Sequence, residues 1–147
     1  MTYADNRRIY HDYEILETYE AGIVLEGHEV KAVKTGKISV AGSYVKIIDS
    51  EAFLVGAVIS PYQPKNTPKD YDPQRTRKLL LNKKEIAGLI GQSKERGLTI
   101  VPLKVYAKKG KIKLEIGLAK AKKKYDKRTS IRKKEEQRKI ERVLKQY

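Results

Sequence analysis

Residues 98–119 read LTIVPLKVYAKKGKIKLEIGLA. Ile112, Leu114, Ile116 and Leu118 take every second position, with Lys113, Glu115 and Gly117 between them. Strand side chains alternate between two faces, so residues 111–119 are predicted to form a strand with one apolar and one polar face. The KKG at 108–110 is a turn between this strand and an earlier one over 98–107. An antiparallel hairpin is the natural result, and its apolar face demands more strands to cover it.

The preceding segments supply them. Asn82, followed three residues later by Glu85, has the form of a capping box. Ile86, Leu89 and Ile90 then make a helical stripe that Gly97 closes. Residues 60–73, SPYQPKNTPKDYDP, hold four of the five prolines and read as a surface loop. Residues 38–59 read as a hairpin turning at Asp49-Ser50, with Val40, Tyr44 and Ile48 spaced for strand faces and FLVGAVI (53–59) as a buried strand. Ile23, Val30 and Val33 fit a short helix that ends at Gly36. Residues 13–19, YEILETY, read as a strand, and residues 1–12 as an irregular basic lead-in. Antiparallel strands interrupted by two helices are best closed as a small barrel, which removes exposed edges. The expected fold class is mainly β: a barrel with flanking helices plus a basic C-terminal tail. The barrel is expected over 1–118 and the tail over 119–147.

Charge distinguishes the two parts. The chain has 147 residues and a formal net charge of +15. Residues 119–147 contain thirteen basic and four acidic residues, a net +9. Such a dense run grips a polyanion, with phosphate backbones as the first candidate and an anionic membrane surface as the competitor. Large apolar residues are scarce there before Ile140, so the tail is expected to stay mobile until it meets a partner. Ile140, Val143, Leu144 and Tyr147 then fall on one helical face, suited to a helix that forms on docking. No apolar run is long enough to span a bilayer, and MTYADNRRIYHDYE lacks the apolar core of a signal peptide. A cytoplasmic location is therefore expected. Zero cysteines and two histidines leave no thiolate or His-rich metal site.

Catalytic constellations are absent. No G-x-x-x-x-G-K-[ST], H-E-x-x-H or G-x-S-x-G occurs, and the acid pairs Asp70/Asp72 and Glu135/Glu136 read as solvated. His11 stands between two roles, a general base beside Asp12 or a hydrogen-bonding or stacking group on an RNA surface. Arg75, Arg77 and Lys78 suit phosphate contact, with an ordinary solvated basic face as the alternative. Lys113 is a candidate for backbone contact or a plain solvent-facing strand lysine. Asn82 is first a helix cap, and can touch RNA only with a side-chain group left over.

Several blocks, in order, resemble the small protein B family, the SsrA-binding proteins of bacterial trans-translation. They are HDYEILETYEAGIVLEGHEVKAVKTGK (11–37), SYVKI (43–47), DPQRTRKLLLNKKEI (72–86), GLTIVPLKVY (97–106) and GLAKAKKKYDKR (117–128). The resemblance implies an oligonucleotide-binding-type (OB-fold-like) barrel, no catalysis and no cofactor. It implies binding to the tRNA-like domain of transfer-messenger RNA. That RNA, charged and carried with elongation factor Tu, would be delivered to stalled ribosomes. The positions matching the family's RNA contacts are His11, Glu20, Leu80, Asn82 and Lys113. In the tail, Asp126, Lys127 and Arg128 match an element near the decoding centre of the small subunit, in the empty message channel. Tyr125 stands where many relatives have His, and Ile131-Arg132 where they have Ile-Lys. The chain is expected to act as a monomer.

Overall fold

A computed structural model describes residues 1–122. Along them run β1 (Thr2–Asp5), α1 (Ile9–Asp12), β2 (Tyr13–Ile23), α2 (Gly27–Lys34), β3 (Ile38–Ser39), β4 (Tyr44–Ile48), β5 (Glu51–Val55), β6 (Val58–Ile59), β7 (Arg77–Leu80), α3 (Lys83–Arg96), β8 (Thr99–Lys108) and β9 (Lys111–Ala121). A 3₁₀ turn, Pro64–Asn66, lies in the proline-rich loop.

The alternating stretch forms β9, paired with β8 along its length through a turn in which Lys109 and Gly110 both have positive φ. Its other edge pairs with β2, from Tyr13↔Ala121 to Gly22↔Lys113. The strand order β8-β4-β5-β7-β2-β9, with β9 returning to β8, closes an antiparallel ring, and β1 pairs with residues 104–106 of β8, beyond the single β4 contact at Ile100. Leu114, Ile116 and Leu118 point inward with Ala21, Leu54, Leu79 and Val105, all buried. Leu89 of α3, fully buried, joins the same core, as do Ala32 and Val33 of α2. The barrel expected from strand count is therefore present.

Several local expectations change. Residues 1–12 are not irregular: they form β1 and α1, and α1 lies over a second, smaller core. There Val101, Leu103 and Ala119 on the outer side of the β8–β9 hairpin meet Ile9, Tyr13 and Ile15. Gly117 makes that layer possible, because a Cβ there would stand 3.0 Å from the Ile15 γ-methyl and 3.1 Å from Leu103 Cδ1. The helix expected from Ile23 to Gly36 is shorter in the structure. Strand β2 continues through Ile23, and α2 begins at Gly27 behind a Glu26–Glu29 capping box. Residues 38–59 do form a hairpin at Asp49-Ser50, both with positive φ. Its outer part splits away, however, and β3 pairs with β6 in a separate two-stranded sheet. Gly56 (φ +88°) breaks the expected 53–59 strand. Within β4 the inward residues are Val45 and Ile47, while Tyr44 and Ile48 are exposed. Strand β9 runs to Ala121, and Ala119 is fully buried. The barrel thus extends past residue 118, and 119–121 belong to it. The expectations for Tyr125–Arg128, Ile131, Arg132 and the 140–147 stripe fall outside the described residues.

One polar cluster is sealed into this apolar frame. Glu29 and Arg77 are both completely buried. Arg77 donates to Glu29 Oε2 from Nη2 (2.7 Å) and Nε (2.9 Å), and to the carbonyls of Ala57 and Pro73 (both 2.9 Å). Arg75 donates to both Glu29 oxygens, and Tyr71 Oη lies 3.0 Å from one of them. Burial alone would raise the Glu29 carboxyl. The hydrogen bonds from Arg75, the Glu26 backbone N–H and Arg77 outweigh it and hold it at about 2, against an ordinary 4.5.

Glu29→Gln would leave two guanidinium groups without their anion. It should lower the unfolding free energy by about 3–5 kcal/mol, read as a fall in the urea midpoint. Acid should act in the same direction. Because the folded value lies below the ordinary one, the stabilisation is complete above about pH 4.5 and is lost as pH falls toward 2. A Glu29→Gln protein as stable as wild type at neutral pH would remove the cluster from its structural role.

Candidate nucleic-acid interface

The polar face of β9 turns away from the core, and register places other outward residues beside it. Leu80 of β7 pairs with Gly22 of β2, Gly22 with Lys113 of β9, and Lys113 with Tyr106 of β8. These four form one row across four adjacent strands. Glu20 lies two residues from Gly22 on the same outer side. Lys78 lies two residues before Leu80, exposed, with Glu51 at 3.3 Å. Leu80 is 54% exposed, high for a leucine beside a core strand. Gly22 has no side chain to fill the space between Leu80 and Lys113. A groove of about 340 Å³ opens there, walled by Ile112 and Leu80 and by Val30 and Lys34 of α2.

Charge on this face is mixed but ordered. Lys104, Tyr106 and Lys108 alternate along β8, and Lys104 Nζ sits 5.5 Å from the Tyr106 ring centroid. Glu20 accepts a hydrogen bond from Tyr106 Oη at 2.6 Å and one from Lys108 Nζ at 3.1 Å. The Tyr106 bond first, and then the Lys108 bond, hold the Glu20 carboxyl below its ordinary value. Burial, followed by the bond to Glu20, raises the Tyr106 phenol, which stays protonated at neutral pH.

Asn82 begins α3 just beyond Leu80. Its Oδ1 accepts from the Glu85 backbone N–H at 2.8 Å, and Glu85 returns the bond to the Asn82 N–H. The expected capping box is present, and the Asn82 amide nitrogen remains turned toward solvent with no protein partner among the described residues. His11 does not join the row. It lies in the last turn of α1, and Tyr13 just after that helix is nine residues along β2 from Gly22, a span of about 30 Å. Between them lies exposed Tyr10, whose phenol is raised by burial and then by the Glu115 and Asp5 carboxylates. His11 therefore occupies the far end of the same outer surface.

Arg77 is a correction. With no exposed surface and Nε, Nη1 and Nη2 all bonded within the protein, it cannot reach a phosphate; it is a core ion-pair residue. Arg75 is engaged by the same Glu29 and keeps only a part-exposed side chain. Of the basic trio, Lys78 alone faces outward on the barrel wall. Tyr106, Lys108 and Gly22 were missed. The K-x-Y-x-K alternation at 104–108, on a strand facing Lys113, was the available signal. Among the described residues no group of His, Cys, Asp and Glu could hold a metal, and no helix is long and apolar enough to cross a membrane.

A small antiparallel barrel that presents lysines, a tyrosine and an exposed leucine on one outer wall is built like an oligonucleotide-binding barrel. Comparison with known proteins narrows the class. The chain belongs to the SmpB family, whose model, described as SmpB protein, matches residues 3–146. It is 53% identical over 142 residues to the SsrA-binding protein of Sulfurihydrogenibium sp. (97% of this chain, 93% of that one). It is 50% identical over 145 residues to that of Cupriavidus necator (99% and 97%). Among solved structures it resembles a chain described under "tmRNA-SmpB: a journey to the center of the bacterial ribosome". That likeness has a TM-score of 0.66 and 49% identity, over 82% of this chain and 84% of the other.

Asn82 offers a test that separates capping from contact. Asn82→Ala should cost about 1 kcal/mol of stability. Asn82→Asp keeps the cap but loses the free amide, and should keep the melting temperature while weakening RNA binding in an electrophoretic titration. Unchanged affinity in Asn82→Asp would leave this residue as a cap alone.

Proposed function

We propose that this protein is a non-enzymatic RNA-binding adaptor. It binds the tRNA-like domain of transfer-messenger RNA and delivers it to stalled ribosomes for trans-translation. The observation that carries the reading is the identity of about half to SsrA-binding proteins across 97–99% of the chain. The likeness to the tmRNA-SmpB structure supports it further. The exposed row on the barrel wall is the matching physical feature.

In this reading Glu20, Leu80, Asn82 and Lys113 form the main contact surface, with Lys78 beside them and His11 at its far end. The net +9 of residues 119–147 supports a second task for the tail. It would enter the empty message channel of the small subunit, with Tyr125, Asp126, Lys127, Arg128, Ile131 and Arg132 near the decoding centre. Elongation factor Tu would be met indirectly, through the charged RNA. The protein would work as a cytoplasmic monomer, without metal or cofactor.

A competition experiment at physiological salt tests the first task. The tRNA-like domain should displace labelled RNA far better than bulk transfer RNA, because electrostatic binding alone shows little preference. Equal competition would reduce the protein to a general basic RNA binder. Truncation tests the second task, and the buried Ala119 sets where to cut. A chain ending at Lys122 should keep RNA affinity yet fail to support peptidyl transfer to transfer-messenger RNA on stalled ribosomes. Lys127→Ala with Arg128→Ala should show the same split.

A further inference from the structure

A carboxylate in the middle of a phosphate-binding wall is electrostatically misplaced, since it repels the ligand. Glu20 holds that position, and its bonds explain how it is tolerated. Both oxygens are occupied, one by Tyr106 Oη at 2.6 Å and the other by Lys108 Nζ at 3.1 Å. Glu20 is on β2 and its partners are on β8, with β9 between them. Two strand spacings, about 10 Å, separate the backbones. The side chains therefore meet above β9, and Tyr106 is laid across its outer surface rather than standing out from β8.

The ring is fixed at both ends, by its own strand at Cβ and by Glu20 at the hydroxyl. It is partly exposed, with Lys104 at 5.5 Å from its centroid and Lys108 at its tip. Lys113 is its cross-strand neighbour. A flat ring held still costs little further rotamer entropy when something stacks on it. The Lys104, Lys108 and Lys113 ammonium groups around it, which outnumber the Glu115 carboxylate opposite Lys104, match the phosphates on either side of a stacked base. Every base has a π-face, so an immobilised tyrosine among lysines suits an unpaired nucleotide.

The geometry points to Tyr106 as a stacking platform for an unpaired base of the bound RNA, with Glu20 as the residue that positions it. This rests on the RNA-binding reading above and reassigns Glu20 within it. The carboxylate serves the RNA through Tyr106 and Lys108 and does not read the RNA itself.

The sequence contains no tryptophan, so Tyr106→Trp introduces a single emitter at the platform. The full-length Tyr106→Trp chain is titrated with the tRNA-like domain RNA, and binding is followed separately by anisotropy of end-labelled RNA. Emission should be quenched with the same midpoint as the anisotropy. In otherwise wild-type protein, Tyr106→Leu should weaken binding about tenfold or more, and Tyr106→Phe, which keeps the ring and loses the anchor, by less. Glu20→Gln should weaken binding in the wild type and add little to Tyr106→Leu, since both remove one device. Thermal melts confirm that each variant is folded. Saturated anisotropy with unchanged emission overturns the stacking role. A Glu20→Gln loss of equal size in both backgrounds overturns the positioning role. Equal affinity for the tRNA-like domain and bulk transfer RNA is a separate failure, that of the proposed function.

Discussion

The buried carboxylate of Glu29 is the joint on which this architecture turns. The barrel ring has two narrow seams: β4 meets β8 through one register pair, and β7 meets β2 through two. Strand β7 is also the strand delivered by the long proline-rich loop, so little local structure fixes where it goes. Arg77, its first residue, is drawn to Glu29 on α2, while its remaining donors hold Pro73 of the loop and Ala57 beside β6. One anion thus ties a helix, a loop and a strand together. A buried ion pair contributes little net stability over an apolar equivalent, but it accepts few alternative arrangements. Leu80 and Asn82 follow Arg77 on the same strand and its exit, so the placement of the exposed row on the barrel wall depends on a contact well inside the protein.

Legibility in the sequence follows the range of the interaction. Alternation at 112–118, the Asn82–Glu85 cap and the Asp49-Ser50 turn are local, and each was readable from a few neighbouring residues. Closure into a barrel was readable as a consequence, because unpaired strands need partners. The split of β3 and β6 into their own sheet was not readable, since it depends on Gly56 adopting a left-handed backbone within an apolar run. The short β1 and α1 carry too few residues to show a period, and the core beneath α1 assembles from Ile9, Val101 and Ala119.

The candidate interface divides in the same way. Lys113 and Asn82 were visible as an outward lysine and a strong cap. Glu20 and Leu80 entered only through family resemblance, because neither charge nor hydropathy marks a carboxylate or a leucine as an RNA contact. Arg77 was misjudged because an arginine beside a loop looks solvent-facing until its partner is known. That partner is 48 positions away. Glu20 and Tyr106 are 86 positions apart. Pairings of this reach are set by strand order.

The long pairing of β2 with β9 has a geometric consequence. At one end it presents Gly22 and Lys113; at the other, Tyr13 meets Ala121. There Lys122 is fastened to α1 by its backbone N–H on the Asp12 carbonyl (2.9 Å) and its Nζ on the Tyr10 carbonyl (2.8 Å). Lys122 is therefore a fixed point next to the end of α1 that holds His11. About 30 Å of stiff ladder separate that point from the Leu80–Tyr106 row. The β2–β9 ladder works as a ruler: it sets the separation between the wall that would hold one RNA and the anchored Lys122, and a change in strand length would rescale it.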